Sequence, residues 1–426
     1  MANFTSSDRE AKKDVYKKYF IAYCIGILLG YGMLLICQAI PGFPLGGPDD
    51  FAAFYAAGKM VHDGDSPHLY DLNQQSKAQK NLQENYGFTY KEGDYVPFYY
   101  PPFFALLFIP FTFITLSQGF IIWNLFNITL LITSVVIIFH HRPEASTAHN
   151  CKVTIIALAF LPVLSTFLAG QTSLLVLFLI TCVFVSARRG NHCLAGFFLG
   201  LLLFKPQFVI LLFIYFVYRK WWGLVGSFLS TAMLLLCISL AIIGPSGLFT
   251  YFQLISSGRG WEQPLLRANL YSMPNITGSG YRAFLALQKW LPVDATSQGL
   301  QIATYGISMV VLLVLWKEWR LRRNKTTYVF DIEFSITILA MVLVIPHLHF
   351  YDLTILVLPA ILLNSYFQNT SCVHFYYGLM ASVHIGFTAI WMLFPLTWAA
   401  QLIMFFLAYI TISLQHQLRR FHPRAF

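Results

Sequence analysis

Two adjacent acidic residues, Asp49 and Asp50, stand between Pro48 and a stretch of apolar and small residues that begins at Phe51. A proline followed by acids is typical of a helix start, where the backbone dipole and the free N–H groups favour carboxylates. Helix capping is one interpretation of this pair, and a catalytic carboxylate is the other. The sequence therefore predicts a helix that begins with a capping or a reactive acid.

A lysine interrupts an otherwise apolar run, because Lys205 follows Leu201–Phe204 and precedes Pro206 and a second apolar stretch. A bare ammonium in hydrocarbon is costly, so ionisable residues in such runs usually pair or face a cavity. Lys205 is therefore a candidate contact for a phosphate group. The alternative is a lysine that snorkels to the membrane surface beside a helix break at Pro206.

Two histidines and an acid, His347, His349 and Asp352, follow the apolar run that ends near Ile345. The His-x-His spacing could suggest a metal, but such ligands usually lie on a strand and nothing indicates one here. We therefore predict no metal site. We expect hydrogen bonds from this cluster to a phosphate or to sugar hydroxyls, with an interfacial histidine cluster as the alternative.

Three further residues in polar segments could contact a ligand. Arg259 could bind phosphate, although a solvated loop charge is the commoner outcome. Tyr55 and Tyr100 could stack on a sugar or anchor the chain at the membrane interface, and anchoring is the preferred interpretation.

The composition requires a membrane, because 57% of the 426 residues are hydrophobic and only 11% are charged. Apolar runs of spanning length recur along the whole chain, so we predict one all-α, polytopic integral membrane domain over residues 1–426, with about twelve transmembrane helices. The predicted spans are 19–40, 98–116, 119–139, 153–168, 172–187, 192–218, 221–243, 298–316, 329–345, 352–368, 372–393 and 397–414.

Charge distribution predicts which segments face the cytoplasm. The basic residues that give the net charge of +10 stand at span ends, as the positive-inside rule expects, and this argues against nucleic-acid binding. The N-terminus 1–18 and the tail 415–426 are predicted to be cytoplasmic. Segments 41–97 and 244–297 are predicted to be outer loops, because 41–97 holds eight of the 18 acids and four lysines.

The topology of the first half stays open at one point. If residues 192–218 form one span, Arg188 and Arg189 fall outside, against the charge rule. If this run is instead a hairpin broken at Lys205 and Pro206, the two arginines are inside but the parity elsewhere fails.

Short motifs in a fixed order resemble glycosyltransferase family 87. They begin with Asp50-Phe51, Phe54-Tyr55-Ala56-Ala57 and Asp63-Gly64, and continue through Leu69-Tyr70, Tyr99-Tyr100-Pro101-Pro102, Gly170-Gln171-Thr172-Ser173, Ala195-Gly196, Lys205-Pro206, Asn275 with Gly278, Pro346-His347 and Tyr351-Asp352. Their order and the large first outer loop carry the resemblance, which covers about residues 45–360.

The resemblance implies a GT-C-like fold whose large first outer loop carries short interfacial helices. It also implies an inverting enzyme that takes a hexose, usually mannose, from a polyprenyl-phosphate donor to a lipid or glycan acceptor, without cofactor or metal. Asp50 matches the family's aspartate and would be the base, whereas Asp49 would cap the helix. Gln171 and Asn275 become candidate donor contacts. The implied location is a bacterial inner membrane, with the site on its non-cytoplasmic face.

A transporter or flippase for a lipid-linked sugar or a small solute is the alternative function. Such proteins carry ionisable residues at mid-membrane and often show two matching halves, and this sequence shows few of the first and no internal repeat.

Overall fold

The computed structural model describes residues 49–85, 95–140, 154–257, 273–287, 296–321 and 327–367, and parts of 21–37. Within these ranges every regular element is helical. The α-helices are α1 Asp49–His62, α2 Leu72–Asn85, α3 Pro102–Ala105, α4 Leu116–His140, α5 Leu161–Ala169, α6 Ser173–Arg188, α7 His192–Leu201, α8 Ile210–Tyr218, α9 Trp222–Ser257, α10 Ile276–Leu287, α11 Thr296–Leu321, α12 Thr327–Val344 and α13 Val357–Phe367. Turns of 3-10 helix are Ser66–His68, Leu106–Phe113, Leu202–Phe204, Pro206–Phe208 and Phe350–Leu356.

Three of the described helices are long and apolar enough to cross a membrane: Leu116–His140, Trp222–Ser256 and Ile302–Arg320. Each reaches the roughly 20 residues that cross about 30 Å of hydrocarbon. Several shorter apolar helices pack among them. The count of twelve spans stays a prediction, because the first span is described only in part and 372–393 and 397–414 lie outside the described residues.

The apolar run 98–116 differs from the long span predicted for it. It folds as the short helix α3 and the 3-10 helix Leu106–Phe113, which contains Pro110. Proline lacks an N–H donor and its ring clashes with the preceding turn, so a continuous α-helix is disfavoured there. The segment packs against α1 instead, with Phe54 stacked on Phe108 at 4.9 Å between ring centroids.

The run 192–218 is a hairpin rather than one continuous span, which is the second of the two interpretations that the sequence left open. The rings of His192 and Trp221 stack at 4.4 Å, so the beginning of α7 and the end of α8 lie together. At the opposite end, Lys205 reaches the beginning of α6 through Ser173. Helices α7 and α8 are therefore antiparallel, and the chain reverses at Lys205 and Pro206.

Two partly buried ion pairs join α6 and α8 to the first turns of α12. Arg188 Nε lies 2.9 Å from Asp331 Oδ1, and Arg219 lies 2.9 Å from Glu333 Oε2. The Tyr215 hydroxyl also donates to Glu333 at 2.8 Å. Both carboxylates are almost fully buried. We call this the basic end of the bundle, and the end that carries Lys205 lies opposite to it.

Helix α9 bends where the predicted outer loop 244–297 begins. Gly244 has a non-helical backbone (φ 68°, ψ 176°), and Pro245 follows it. The bend leaves helical carbonyls without their usual donors, and the Ser66 hydroxyl donates to the Ile242 carbonyl at 2.7 Å. The loop is thus partly helical, since α9 continues to Ser257 and α10 follows.

Candidate functional site

Asp50 lies in the first turn of α1, and its position is fixed by the residue that follows it. Phe51 is fully buried and contacts the rings of Phe111 and Phe120 at 5.6 and 6.0 Å between centroids. Asp50 itself is half-buried. Asp49 is the first helical residue, and its side chain lies outside the described set.

The turn between α5 and α6 brings Gln171 to Asp50. Gly170 ends α5 in the left-handed region (φ 66°), which directs the chain back towards α1. The Gln171 side chain hydrogen-bonds the Asp50 carboxylate, and its Nε2 donates to the Tyr351 hydroxyl at 3.2 Å. Its Oε1 accepts from the Tyr100 hydroxyl at 3.2 Å. Gln171 therefore joins three segments that are distant in sequence.

Lys205 forms a buried ion pair with Asp352. Its Nζ lies 2.8 Å from Asp352 Oδ1 and 3.4 Å from the Ser173 hydroxyl, which itself donates to the same carboxylate oxygen at 2.7 Å. Lys205 is 5% exposed and Asp352 is 2% exposed. The snorkelling alternative does not describe this lysine, because its ammonium is enclosed and paired. Its Nζ also lies 5.4 Å from the centre of the Tyr351 ring.

The two histidines form a pair beside Asp352. Their Nε2 atoms are 2.8 Å apart, and the His349 backbone N–H donates to Asp352 Oδ2 at 3.2 Å. Burial lowers the pKa of His347 well below its usual value and lowers the pKa of His349 to about 4. Both imidazoles are therefore neutral near pH 7, and they can offer hydrogen bonds to a ligand but no positive charge.

The pKa of Asp50 is raised to about 6, mainly because the carboxyl is desolvated. The Gln171 hydrogen bond and the Lys205 charge lower it, and the Asp352 charge raises it. From the sequence we expected the helix N-terminus to favour the ionised form of Asp50, whereas desolvation, which favours the neutral form, has the largest effect on its pKa. Asp50 is still mainly ionised at pH 7, and a pKa near the working pH suits a general base.

Tyr100 reaches the site at the end of an extended segment held by α2. The Phe98 N–H donates to Gln75 Oε1 at 2.8 Å, and the Tyr70 hydroxyl donates to the Tyr100 carbonyl at 2.7 Å. The Tyr100 ring stacks on Phe104 at 5.0 Å. The Tyr100 hydroxyl contacts Gln171 at 3.2 Å and Thr172 at 3.4 Å, so the hydroxyl makes the described polar contacts of Tyr100 with the site.

Three predicted ligand contacts are not brought into this cluster by any described contact. Tyr55 is 1% exposed and its hydroxyl donates to the Ile114 carbonyl at 2.7 Å. Asn275 is fully buried at the start of α10, where it accepts from the Gly278 N–H at 2.8 Å and donates to the Ile345 carbonyl at 2.6 Å. Arg259 lies outside the described residues.

Two residues of the cluster had been quoted within motifs but not selected as site residues. Ser173 binds the Asp352 carboxylate, and Tyr351 links Gln171 to the ring face beside Lys205. Their proximity to Gln171 and Asp352 in sequence was the available signal. In the part of the chain that the structure describes, no three His, Cys, Asp or Glu side chains are grouped to hold a metal ion.

These features define a helical integral membrane protein with a cluster of ionisable residues at one end of its bundle. The model of glycosyltransferase family 87 matches residues 98–346, which is more than half of the chain, so the protein belongs to that family. It is therefore a membrane glycosyltransferase. No curated protein and no solved structure matches the chain.

The range that the family model matches contains only some of the site residues. Tyr100, Gln171, Lys205, Arg259 and Asn275 lie within it. The site residues Asp50, Tyr55, His347, His349 and Asp352 lie outside it. The described contacts through Gln171 and Lys205 therefore connect the family region to the flanking segments that carry both site carboxylates.

Proposed function

We propose that the protein transfers a hexose, with mannose as the first sugar to test, from a polyprenyl-phosphate donor to a hydroxyl group of a lipid or glycan acceptor. The transfer inverts the anomeric carbon and requires neither cofactor nor metal. The observation that carries the proposal is the placement of Asp50, with a pKa of about 6, in the same cluster as the buried cation Lys205.

In this mechanism the acceptor oxygen forms a bond to the anomeric carbon as the bond from that carbon to the phosphate oxygen breaks. Asp50 accepts the proton of the acceptor hydroxyl, and the departing lipid phosphate keeps the bonding electrons. Lys205 lies close enough to Asp50 to lower its pKa, so one site can hold a base and a cation for the leaving group. The neutral pair His347 and His349 would donate hydrogen bonds to phosphate or sugar oxygens.

The placement of basic residues supports a site on the non-cytoplasmic face. Arg188 and Arg219 lie at the basic end, and the α12 segment that they bind follows the lysine- and arginine-rich segment 317–325. The cluster around Lys205 lies at the other end. With the basic end in the cytoplasm, the site faces the side where lipid-linked sugars are used, as in a bacterial inner membrane.

The test is a transfer assay with the full-length protein in sealed proteoliposomes, using polyprenyl-phosphate mannose labelled in the sugar together with membrane lipids and glycans that offer acceptor hydroxyls. A new glycosidic product supports the proposal. Movement of intact labelled donor across the membrane without any new product would instead identify a flippase.

Asp50→Asn and Asp49→Asn form a matched pair for the same assay. Asp50→Asn keeps the shape of the side chain but cannot accept a proton, so kcat should fall about 10²–10⁴-fold while folding persists. Asp49→Asn should cost much less. If the order of the two effects is reversed, the base is Asp49, and near-normal transfer by both variants would remove this helix from the mechanism.

A further inference from the structure

The apolar helix α4 carries two polar side chains that hold the turn on which Gln171 lies. Trp123 and Asn127 are four residues apart and therefore lie on one face of the helix, and both are fully buried. Trp123 Nε1 donates to the Gly170 carbonyl at 2.8 Å. Asn127 Nδ2 donates to the Gln171 carbonyl at 3.3 Å.

These two carbonyls lie in the turn between two helices, where no described helical N–H group donates a hydrogen bond to them. Gly170 and Gln171 lie between α5 and α6, and their N–H groups already close the end of α5 by donating to Phe167 and Thr166. Buried carbonyls need a donor, and α4 supplies one to each of the two successive groups. Helix α4 therefore holds both residues of the turn by hydrogen bonds to their carbonyls.

The hydrogen bond from Asn127 to the Gln171 carbonyl leaves the Asn127 amide only partly satisfied. Its Oδ1 is buried and has no hydrogen-bond partner in the described part of the chain. An apolar residue of similar size would fill the position without an unsatisfied acceptor, so burial alone does not explain an amide inside an apolar helix. What the amide provides is its hydrogen bond to Gln171.

The Gln171 side chain depends on the position of this turn. It hydrogen-bonds Asp50, Tyr100 and Tyr351 at once, and these contacts leave it little freedom to adjust. Phe51, the neighbour of Asp50, also packs directly on the turn at Gly170. A small displacement of the turn would draw the Gln171 amide away from the Asp50 carboxylate.

We infer that Trp123 and Asn127 are positioning residues, which hold the Gly170–Gln171 turn so that the Gln171 amide stays on the Asp50 carboxylate. The inference rests on the proposed role of Asp50 as the base. It predicts that removing either donor changes how Asp50 titrates, although neither side chain is charged.

Asn127→Leu and Trp123→Phe remove one donor each and keep most of the buried volume. Asn124→Leu is the matched control, because Asn124 is also a buried amide on α4 with an unsatisfied Oδ1, but no described contact joins it to the turn. We expect kcat to fall about tenfold in both test variants with the donor KM changed less than about twofold. The control should keep the kcat of the parent.

The pH dependence separates positioning from loss of folded protein. The Gln171 hydrogen bond lowers the pKa of Asp50, so losing it raises that pKa, and the acidic limb of the kcat profile should move to higher pH. The other titratable groups that face Asp50 are Lys205, Asp352, Tyr100 and Tyr351, and all four are retained in these variants. A fall in folded protein alone would lower the whole profile without moving the limb.

A measurement that requires no sugar transfer tests this inference separately from the proposed function. Carbodiimide reacts with protonated carboxyl groups, so the pH dependence of Asp50 labelling, followed by peptide mass spectrometry, reports its titration directly. Labelling should extend to higher pH in Asn127→Leu, Trp123→Phe and Gln171→Leu, and the Asn127→Leu/Gln171→Leu double variant should show no further shift.

Unchanged labelling in Asn127→Leu and Trp123→Phe would overturn the inference, as would the same shift in Asn124→Leu. If the parent protein transfers no sugar, the proposed function fails, and the labelling still decides whether the two residues position Gln171. If Asn127→Leu does not fold, Trp123→Phe decides the question, because it keeps a buried six-membered aromatic ring while it removes the pyrrole ring and its N–H donor.

Discussion

Lys205 already has a buried carboxylate partner in Asp352, and this changes how its role must be tested. The ion pair compensates the ammonium in its apolar surroundings without any ligand. The replacement Lys205→Met would leave Asp352 buried and unpaired, which typically costs about 3–5 kcal/mol. A loss of activity in that variant alone would therefore mix stability with donor binding.

We predict that the double replacement Lys205→Met/Asp352→Asn restores the unfolding temperature lost in Lys205→Met but raises the donor KM about ten- to a hundredfold, the usual effect of losing a hydrogen bond to a charged group. Thermal unfolding and transfer kinetics measure the two effects separately. Arg219→Met/Glu333→Gln is the matched control, since it removes a partly buried ion pair at the basic end and should leave the donor KM unchanged. An unchanged donor KM in the first double variant would give Lys205 a structural role only.

At the scale of elements, the contact between α1 and the α5–α6 turn fixes Asp50 beside Gln171. A Cβ atom added to Gly170 would lie 2.6 Å from the Phe51 Cβ, which no unstrained contact allows. Gly170 also has φ 66°, where a side chain is unfavourable in any surroundings. Because Gly170 has no side chain, it can adopt the left-handed backbone of the turn and also let α1 approach closely.

We predict that Gly170→Ala destabilises the protein more than Gly190→Ala and that only Gly170→Ala lowers kcat. Gly190 has a similar backbone (φ 77°), but no atom lies within 4 Å of the added Cβ, so its replacement costs only the left-handed conformation, about 1–2 kcal/mol. Thermal unfolding and transfer rates of the two variants measure this difference. Equal loss of stability and activity in both would show that the contact with Phe51 does not position Asp50.

At the scale of the whole molecule, the basic end and the site end lie at opposite ends of the same helices. Helix α6 begins at Ser173 beside Lys205 and ends at Arg188 beside Asp331, and α12 runs back from Asp331 towards the histidine pair. The hairpin at Lys205 places both Arg188 and Arg219 at the basic end. The arginines that conflicted with a single span over 192–218 therefore lie together at one end of the bundle, as the charge rule favours for a cytoplasmic end.

We predict that single cysteines at Lys77 and Arg189, in a background without native cysteines, react with an impermeant thiol reagent from opposite sides of sealed vesicles. Both positions are exposed, whereas Gln75 in the same helix α2 is 2% exposed and would not react. Lys77 should be reached from the non-cytoplasmic side and Arg189 from the cytoplasmic side. Labelling of both from one side would refute the proposed topology.

The sequence by itself determined the features that depend on local pattern. Apolar runs predicted a helical membrane protein, the Pro-Asp-Asp order predicted the start of α1, and Pro206 predicted a break beside Lys205. Each of these follows from the physics of a few neighbouring residues: hydrocarbon transfer, free N–H groups at a helix start and the missing donor of proline.

Only the tertiary structure decided which groups meet. Lys205 pairs with a carboxylate 147 positions away, and Gln171 binds a hydroxyl 180 positions away. No local pattern specifies such partners, because they follow from how the helices pack and where α7 and α8 reverse. The pKa of Asp50 was decided in the same way, since its largest cause is burial among segments that converge only in the folded chain.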